Sequence, residues 1–550
     1  MHRSRVPSPW QRPTAIEHSR RAPVRHDRRN LLTGGGLLTL GLSAAWLGLG
    51  SGSGGAQAAA TSGEANAFSI TLDAKGEGRP VNRQVLGHNV QWVDHGDDLL
   101  SADGRFDAQR LDLVRRMGAT SLRFPGGSQS DVYHWERGMG PQAQRGENQH
   151  FHSKRMQRTV MGTVEFLQLC QATGARPLIT VNVLTGTADE AARWVHACNV
   201  QGLKDPATGQ RLPRVPDWEI GNEPYLRDEA QPDLALEPEA FARKADAFIR
   251  AMRAVDPSIR VGIPVSNNQR QGVPVVHFPD YTRRMLGTLT QRVDFAAVHN
   301  AYMPFTQDLK ASERDRAYWA AMAAARSVQA DLLALRRLLA ELRPGQALPL
   351  AITEYNAIFT LGKGASDEWM GSAAGALYVA DVLRLFAQSP EVAQAQLWSL
   401  SGNWRFGAIS QEGFMRPVGQ VLALMNKALQ GRVLEAPTRA PTLAVPGAGL
   451  VAAVAALPLV ETLATREGNT LRLLLIHKDP ARGAEGTLYL SHAGHGNARL
   501  HTLSTTDPLR ADDVPALFSA QTRALPWGTP LALALPPASV SLLEIDLLPA

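Results

Sequence analysis

The feature that most constrains the fold is the regular alternation of strand-like and helix-like runs over residues 85–429. Short apolar runs with strand composition are each followed by a longer run whose apolar residues recur at helical spacing. Alternation of this kind is typical of a parallel sheet in the α/β class, and eight units indicate a closed (β/α)8 TIM barrel. The predicted strands lie at 85–90, 120–124, 177–183, 217–223, 259–265, 295–299, 349–356 and 395–400.

The chain changes character after about residue 430. Short alternating or apolar runs, at 471–476, 487–490 and 539–547, are separated by Gly, Pro and Asp turns and show no helical period. This pattern is typical of a β-sandwich. A strand-like run at 68–72 has no partner in the barrel, so we expect it to join the sandwich. The predicted domains are an N-terminal strand segment at 66–84, a catalytic barrel at 85–429 and a C-terminal β-sandwich at 430–550.

The first 58 residues have the composition of an export signal. Arg28 and Arg29 precede an uncharged run over residues 31–55, rich in Gly, Leu and Ala, and the cleavage-type motif Ala56-Gln57-Ala58 follows. This order resembles a bacterial twin-arginine signal peptide and predicts an exported protein, periplasmic or extracellular, with no membrane span after cleavage. An uncleaved membrane anchor is the alternative, although the many glycines disfavour a retained helix.

The net positive charge of the chain arises entirely in these first 58 residues. The 550 residues carry a formal net charge of +6 and the pI is about 9.4. Residues 1–58 hold eight arginines and no lysine against Glu17 and Asp27, so they account for the whole excess. The charges of the remaining residues sum to zero, so this part of the chain has no excess of basic residues that could bind a polyanion. We therefore predict no nucleic-acid partner.

Several other kinds of chemistry are disfavoured by the absence of their motifs. Cys170 and Cys198 are the only cysteines, too few for a disulfide framework and at no metal-site spacing, which leaves one disulfide or two buried free thiols. Neither a G-x-S-x-G elbow nor an H-E-x-x-H motif occurs, which disfavours serine and metal hydrolases. We therefore predict no metal and no cofactor.

Two of the predicted barrel strands end in a glutamate. The run from Asp217 to Pro224 ends in Asn222 and Glu223, and the proline marks where the strand leaves the sheet. The run at 349–356 repeats this design with Glu354. In one barrel both carboxylates would face each other across the C-terminal mouth. A single strand-end glutamate more often forms an ion pair, but a pair indicates glycosidic bond cleavage, in which one protonates the leaving oxygen and the other attacks the sugar carbon.

The loop after the second predicted strand has features that a sugar site needs. The strand ends in Arg123-Phe124-Pro125-Gly126-Gly127, and Tyr133 and Trp135 follow. Consecutive glycines allow close approach of the backbone, and the two aromatic side chains offer flat apolar faces for a sugar ring. The alternative is ordinary turn chemistry. We expect Tyr133 and Trp135 to bind substrate.

Together these motifs resemble those of the α-L-arabinofuranosidase family of retaining glycoside hydrolases (glycoside hydrolase family 51). That family belongs to clan A, whose barrel enzymes carry their catalytic glutamates after strands four and seven. The resemblance covers most of the barrel and, more loosely, the sandwich arrangement. The motifs that carry it are the run 123–141, Gly221-Asn222-Glu223, Glu354 followed by Asn356, and Gly87-His88 on the first strand.

The resemblance implies a role for each matched residue. Glu223 would be the general acid/base and Glu354 the nucleophile of a double displacement that needs no metal. Arg123 would lie beneath the nucleophile and help to keep it ionised. The substrate would be an oligo- or polysaccharide. The other implied substrate-binding residues are Asn222 beside the anomeric carbon, His299 and Tyr302 after the sixth strand, and Trp398 as a ring platform near the end of the eighth.

The chain departs from the family at positions that touch the sugar. Gln91 stands where the family usually has a sugar-binding glutamate, and Ser128 stands where an asparagine is expected. His299 and Tyr302 are one residue further apart than usual, and Trp398 is more typical of glucuronidase and heparanase-like clan members. The alternatives are therefore another clan A retaining glycosidase, such as a β-glucuronidase or heparanase-like enzyme, or a catalytically inactive carbohydrate-binding barrel.

Overall fold

Eight parallel strands form a closed barrel in the structure, a computed structural model. It describes residues 66–226, 232–265, 278–306, 309–310, 312–358, 367–402, 405–491, 495–510, 512–515, 517–526 and 530–548, so the predicted signal at 1–58 lies outside it. Each strand pairs with the next, and the eighth closes on the first with Gln396 opposite Gly87. The predicted (β/α)8 barrel is confirmed. Its strands are Gly87–Asn89, Ser121–Phe124, Arg176–Val181, Asp217–Ile220, Arg260–Pro264, Phe295–Ala297, Leu350–Ile358 and Val392–Leu397.

Helices lie around the barrel between successive strands, and local sequence sets their ends. The first begins after Asp107, whose side chain accepts from the Arg110 main-chain N–H, and ends at Gly118 with φ +72°. Two others have proline in the first turn, where its missing N–H costs nothing. The helices are Ala108–Met117, Thr163–Thr173, Ala188–Val195, Pro238–Val255, Tyr281–Thr288, Arg314–Leu342, Ala373–Gln388 and Pro417–Ala428.

The second domain is a β-sandwich with its own apolar core, as the sequence pattern predicts. The N-terminal strand Asn66–Asp73 lies in it and pairs in parallel with Ala484–Ser491. Leucine, isoleucine and valine side chains from the two sheets fill the space between them. One sheet contains Thr438–Arg439, Asn66–Asp73, Ala484–Ser491 and Leu531–Leu535. The other contains Arg79–Pro80, Arg432–Leu434, Val460–Glu467, Thr470–His477, Ser539–Leu547, His495–Ser504 and Ser519–Leu525.

A buried ion pair joins the barrel to the sandwich. Lys478, 1% exposed, donates to Asp381 Oδ2 at 2.6 Å and to the Met322 carbonyl at 3.0 Å. Burial alone would raise the pKa of Asp381, but the cations Arg384 and Lys478 lower it below its ordinary value. The carboxylate therefore stays ionised between two cations, one from each domain.

Two further features of the described residues bear on the sequence predictions. Cys170 and Cys198 are free thiols, and burial raises the pKa of each above its ordinary value. Of the two possibilities left open, free thiols are therefore present. Among the ranges that the structure describes, no helix combines the length and the apolarity that crossing a bilayer requires.

Candidate active site

The C-terminal ends of barrel strands four, six and seven bring three titratable side chains together. One ligand atom from each of Glu223, His299 and Glu354 lies within 4.8 Å of the others. Retaining glycosidases hold their two carboxyl groups about 5 to 5.5 Å apart, whereas inverting enzymes need about 6.5 to 9.5 Å to admit a water. The two glutamates therefore have the short spacing.

Arg123, near the end of strand two, is the cation beneath this cluster. It is fully buried, and its Nε donates to Glu219 Oε2 at 2.6 Å. Its Nη1 donates to Glu354 Oε1 at 2.7 Å and to Asn89 Oδ1 at 2.9 Å, and its Nη2 to Asn222 Oδ1 at 2.8 Å. Burial alone would lower the pKa of the guanidinium, but Glu219 and Glu354 raise it above its ordinary value. Arg123 thus stays charged and orients four site side chains.

Glu219 is a supporting carboxylate below the mouth, and both of its oxygens accept hydrogen bonds from protein side chains. Its Oε2 accepts from Arg123 and from Thr180 Oγ1 at 2.6 Å, and its Oε1 accepts from Thr353 Oγ1 at 2.9 Å. The side chain has no exposed surface. Glu219 therefore balances charge and anchors neighbours, and it has no atom that faces a substrate.

Glu354 is held by donors on both oxygens. Besides Arg123 at Oε1, the Tyr302 hydroxyl donates to Oε2 at 2.7 Å. Tyr302 lies on the strand Ala301–Pro304, which pairs in parallel with strand seven and places Tyr302 opposite Asn356. Burial and the charge of Glu354 raise the pKa of Tyr302 well above its ordinary value, so the hydroxyl keeps its proton and donates. Both oxygens of Glu354 therefore accept hydrogen bonds from donors that the fold holds in place.

Glu223 lies within hydrogen-bond distance of His299. His299 Nδ1 lies 2.8 Å from Glu223 Oε1, and its Nε2 lies 2.9 Å from Thr353 Oγ1. Because the Thr353 hydroxyl donates to Glu219, its oxygen accepts from His299, so Nε2 carries a hydrogen. A neutral His299 then accepts at Nδ1 from a protonated Glu223, and a charged His299 donates to an ionised Glu223. The pair holds one proton in either state.

The His299 pKa is set by opposing effects. Burial lowers it, but the charge of Glu354, together with the charge and hydrogen bond of Glu223, raises it above its ordinary value overall. Glu223 is the more exposed carboxyl, with 18% of its side chain accessible against 7% for Glu354. Tyr225 also donates to Glu223 Oε1, at 3.1 Å. Of the two glutamates, Glu223 is therefore the one open to a leaving group or a water.

Three other predicted substrate-binding residues lie at the mouth. No described residue accepts from Asn222 Nδ2, so this amide can donate into the site. Trp398, which follows strand eight, is half-buried and its ring lies against Gly127, where an added Cβ would come within 2.5 Å of it. Gln91, which follows strand one, is half-buried and its Nε2 donates to the carboxyl of Asp97 at 3.1 and 3.2 Å.

The structure corrects the prediction that Tyr133 and Trp135 bind a sugar. Tyr133 is 1% exposed and Trp135 is 6% exposed. Trp135 stacks on Trp194 with ring centroids 5.8 Å apart and donates from Nε1 to the Glu190 carbonyl at 3.1 Å. The loop turns back in short 3-10 helices, which direct both rings into the core beside the helix Ala188–Val195. Burying large aromatic surface is more favourable there than presenting it to water.

Asp131 is a site residue that sequence motifs did not single out. It is 5% exposed, and among the described residues its Oδ1 has no hydrogen-bond partner. Burial raises its pKa to about 8, although the Asn222 main-chain N–H opposes the shift, and the charge of Glu223 adds to it. Its carboxyl is therefore protonated at neutral pH. A lone aspartate four residues after a double glycine gives no signal of this proximity.

The cluster of Glu223, His299 and Glu354 is also the group in the described ranges whose atoms are spaced to hold a metal ion. The donor set does not favour one. Both ring nitrogens of His299 already lie at hydrogen-bond distance from protein oxygens, and Arg123 supplies a positive charge at Glu354. A cation would have to break these contacts and lie near the guanidinium.

Residues 113–302 match the family model described as Alpha-L-arabinofuranosidase 1 domain. This segment contains Arg123, Glu223, His299 and Tyr302. The chain is similar to the α-L-arabinofuranosidases of clan A. Alpha-L-arabinofuranosidase C of Emericella nidulans is 28% identical over 231 residues, which cover 39% of this chain and 45% of that protein. An intracellular exo-alpha-L-arabinofuranosidase of Bacteroides ovatus is 29% identical over 168 residues, which cover 28% of this chain and 32% of that protein.

The arabinofuranosidase-like match thus spans less than half the length of these curated relatives. Among solved structures, the alpha-L-arabinofuranosidase from Thermotoga maritima aligns with a TM-score of 0.72 at 22% identity. The alignment covers 87% of this chain and 100% of that chain. At this level of identity the likeness shows the shared barrel and sandwich fold.

Proposed function

We propose that this chain is a retaining glycoside hydrolase of the α-L-arabinofuranosidase type that acts on an oligo- or polysaccharide. The observation that carries the proposal is the contrast between two carboxyls within 4.8 Å of each other. Glu354 accepts from Arg123 and Tyr302, which favour its ionised form. Glu223 shares a proton with His299 and is more exposed. Glu354 therefore suits the role of nucleophile, and Glu223 suits the role of general acid.

In the first step, an oxygen of Glu354 attacks the anomeric carbon and forms a glycosyl ester. Glu223 gives its proton to the glycosidic oxygen, the bond from that oxygen to the anomeric carbon breaks, and the alcohol departs. In the second step, Glu223 takes a proton from water as the water oxygen attacks the same carbon, and the bond to Glu354 breaks. Two inversions give net retention.

The surrounding residues assist each step. Arg123 and Tyr302 hold Glu354 ionised and fix its orientation before the attack. His299 fixes Glu223 through Nδ1 and holds the shared proton between turnovers. Asn222 donates from Nδ2 to a sugar hydroxyl, and Trp398 offers its ring as a platform. None of these roles needs a metal.

The test is a panel of para-nitrophenyl glycosides that includes the α-L-arabinofuranoside. We expect the arabinofuranoside to be hydrolysed and Glu354→Gln to abolish turnover. Glu223→Ala should lose about 10² to 10⁴-fold in kcat on a poor leaving group and less on nitrophenolate, which needs little protonation. Azide should restore the Glu223→Ala rate and yield a glycosyl azide of retained configuration. Unchanged turnover in Glu354→Gln would refute the assignment of the nucleophile.

The same panel separates the alternatives. A β-D-glucuronide is included because Trp398 and the run Glu219-Ile220-Gly221-Asn222-Glu223-Pro224 are also typical of glucuronidase and heparanase-like clan members. Hydrolysis of the glucuronide alone would assign the chain to that group. Binding of a glycan without turnover of any glycoside would favour the inactive carbohydrate-binding barrel.

We also propose that the chain is exported by the twin-arginine route. The proposal is supported by Arg28 and Arg29, the uncharged run 31–55 and the motif Ala56-Gln57-Ala58. These residues lie outside the part that the structure describes. Replacing both arginines by lysine should leave the full-length precursor in the cytoplasmic fraction, while the unaltered chain is recovered outside it. Equal distribution of the two forms would argue against this route.

A further inference from the structure

We propose that Gln91 and Asp97 form a recognition pair, in which Asp97 positions the Gln91 amide so that its oxygen accepts a hydrogen bond from a hydroxyl group of the bound sugar. The inference rests on the proposed function, because it assumes that a sugar occupies the mouth of the barrel. It adds Asp97 as a positioning residue, a role that no motif in the sequence indicates.

The pairing of strand one fixes the direction of the Gln91 side chain. Main-chain bonds continue beyond the strand, from Val90 N to the Arg123 carbonyl at 2.8 Å and from Trp92 N to the Pro125 carbonyl at 3.2 Å. The chain is therefore still extended at Gln91, and alternate side chains point to the same side.

Asn89 shows which side that is. Its Oδ1 accepts from Arg123 Nη1, the same atom that donates to Glu354 at 2.7 Å. Asn89 thus points into the barrel at the level of the proposed nucleophile. Gln91, two residues further on, points the same way and lies nearer the mouth, where a sugar bound to Glu354 must sit.

Two glycines leave room for the pair. An added Cβ at Gly126 would come within 2.6 Å of the Gln91 Cγ, and one at Gly402 would come within 3.2 Å of the Asp97 Cβ. Gly402 belongs to the segment after strand eight. The pair is therefore packed between the loops that follow strands two and eight, and its position is fixed on both sides.

Asp97 determines which end of the Gln91 amide faces the mouth. Its two oxygens accept from Gln91 Nε2 at 3.2 and 3.1 Å, and Asp97 is 9% exposed. Burial raises the pKa of Asp97 well above its ordinary value. In the structure both carboxyl oxygens lie beside the amide nitrogen of Gln91, and the oxygen without a proton accepts from it whether or not the other one is protonated. No described residue donates to Gln91 Oε1, so that oxygen is free for a hydroxyl group.

The backbone that carries Asp97 is strained. Five successive residues have positive φ, with 46° at Asp94, 60° at His95, 73° at Gly96, 52° at Asp97 and 64° at Asp98. A left-handed turn of this length is unfavourable for residues with a Cβ, and strained backbone of this kind is concentrated at functional sites. The turn delivers the Asp97 carboxyl to Gln91.

The first test removes the carboxyl without straining the turn. Asp97→Gly should lower kcat/KM by about tenfold, because the amide of Gln91 loses the acceptor that orients it. Asp97→Asn keeps an acceptor oxygen and should stay within about threefold of the unaltered chain. Asp98→Gly is the matched control, since it makes the same change on the same turn away from Gln91. Its effect should be within about twofold.

The second test exchanges donor and acceptor. Gln91→Glu places two carboxyls together, removes the amide donor and should cost about tenfold in kcat/KM at neutral pH. The double variant Gln91→Glu with Asp97→Asn restores one donor facing one acceptor and again turns an oxygen to the mouth. It should recover to within about threefold of the unaltered chain, which a merely structural contact would not require.

The outcomes separate this inference from the proposed function. Turnover is measured on whichever glycoside of the panel the unaltered chain hydrolyses. If that chain hydrolyses none, the proposed function fails and this inference falls with it. If it turns one over, equal effects of Asp97→Gly and Asp98→Gly, or a double variant no better than Gln91→Glu alone, would overturn the recognition pair only.

Discussion

Single residues of the same chemical type have different tasks in this site because their neighbours differ. Glu219, Glu223 and Glu354 all lie near the C-terminal mouth, and Arg123 contacts two of them. Glu219 has its oxygens occupied, Glu354 is held by a cation and a hydroxyl, and Glu223 shares a proton with an imidazole. In the proposed mechanism these neighbours make Glu354 the carboxyl that attacks and Glu223 the one that donates a proton.

Asp131 gives a prediction of how stability depends on pH. Its pKa of about 8 lies above that of an unfolded aspartate, so the folded chain keeps this proton when the unfolded chain has lost it. Between about pH 4 and pH 8 the free energy of unfolding therefore falls as pH rises, by up to about 1.4 kcal/mol per unit from this group. The asparagine of an Asp131→Asn variant does not titrate. The free energy of unfolding of this variant, relative to that of the unaltered chain, should therefore increase as the pH rises from about 4 to about 8.

Chemical denaturation of both chains at several pH values measures this difference. The contributions of other groups are common to both chains and cancel. Stability curves that run parallel from pH 4 to pH 8 would mean that Asp131 ionises normally in the folded chain. A gap that widens with pH would support a buried, protonated carboxyl beside Glu223.

At the residue scale the sequence predicted more of the charged site than of its aromatic part. Glu223 and Glu354 could be located because a strand that ends in a carboxylate is visible in the pattern. Tyr133 and Trp135 could not be placed, because an aromatic residue in a loop is equally compatible with a sugar platform and with a core. Only the path of the loop decides, and that depends on tertiary contacts.

At the scale of elements, the sixth strand shows why the unusual separation of His299 and Tyr302 could not be interpreted from the sequence. The predicted strand at 295–299 ends at Ala297, and the chain pairs again with strand seven over Ala301–Pro304. The break lets His299 reach Glu223 while Tyr302 reaches Glu354. The wider separation of His299 and Tyr302 thus allows each side chain to contact a different glutamate. A short apolar run does not reveal where its pairing is interrupted.

The loop after strand two offers a matched pair of glycine substitutions. Gly127 has φ +47°, and an added Cβ would meet the Trp398 ring at 2.5 Å; Gly140 has φ +82° and nothing within 4 Å. Both alanine variants should lose about 1 kcal/mol of stability from the backbone. Only Gly127→Ala should displace the ring and raise KM by about fivefold. Equal KM values in the two variants would remove Trp398 from the substrate platform.

At the scale of the whole molecule, the barrel and the sandwich are joined by buried charge. Lys478 belongs to the sandwich, and Asp381 lies on the barrel helix Ala373–Gln388. Tyr318, on the helix Arg314–Leu342, also donates to the Lys478 carbonyl at 2.8 Å. These contacts bury polar groups that are satisfied only when the two domains are docked, so we expect one cooperative unfolding transition.

Lys478→Met tests this coupling. It leaves Asp381 with Arg384 alone and should lower the free energy of unfolding by about 3 kcal/mol. Arg482→Met is the control, because Arg482 forms an ion pair with Asp479 in the same domain but is 61% exposed, and its loss should cost under about 1 kcal/mol. Calorimetry and denaturant titration measure both. Equal effects of the two variants would show that the buried pair does not couple the domains.

The whole fold was more predictable than the contacts within it. The alternation of strands and helices repeats eight times, and the pattern changes abruptly to short strand-like runs after residue 430. The barrel and the sandwich could therefore both be predicted from the spacing of apolar residues. The Lys478–Asp381 pair and the Gln91–Asp97 pair join residues 97 and 6 positions apart, respectively, and neither has a sequence signature. They depend on side-chain directions that only the packed structure defines.

The central claim is that Glu354 and Glu223 act on one anomeric carbon by double displacement. The most direct measurement is mass spectrometry of the protein after reaction with an activated 2-deoxy-2-fluoro glycoside of the sugar it hydrolyses, which slows release of the glycosyl ester. We predict one added glycosyl group, located on Glu354, and its loss when Glu354 is replaced by Gln. A label on another residue, or an unlabelled protein whose product has inverted configuration, would contradict the account.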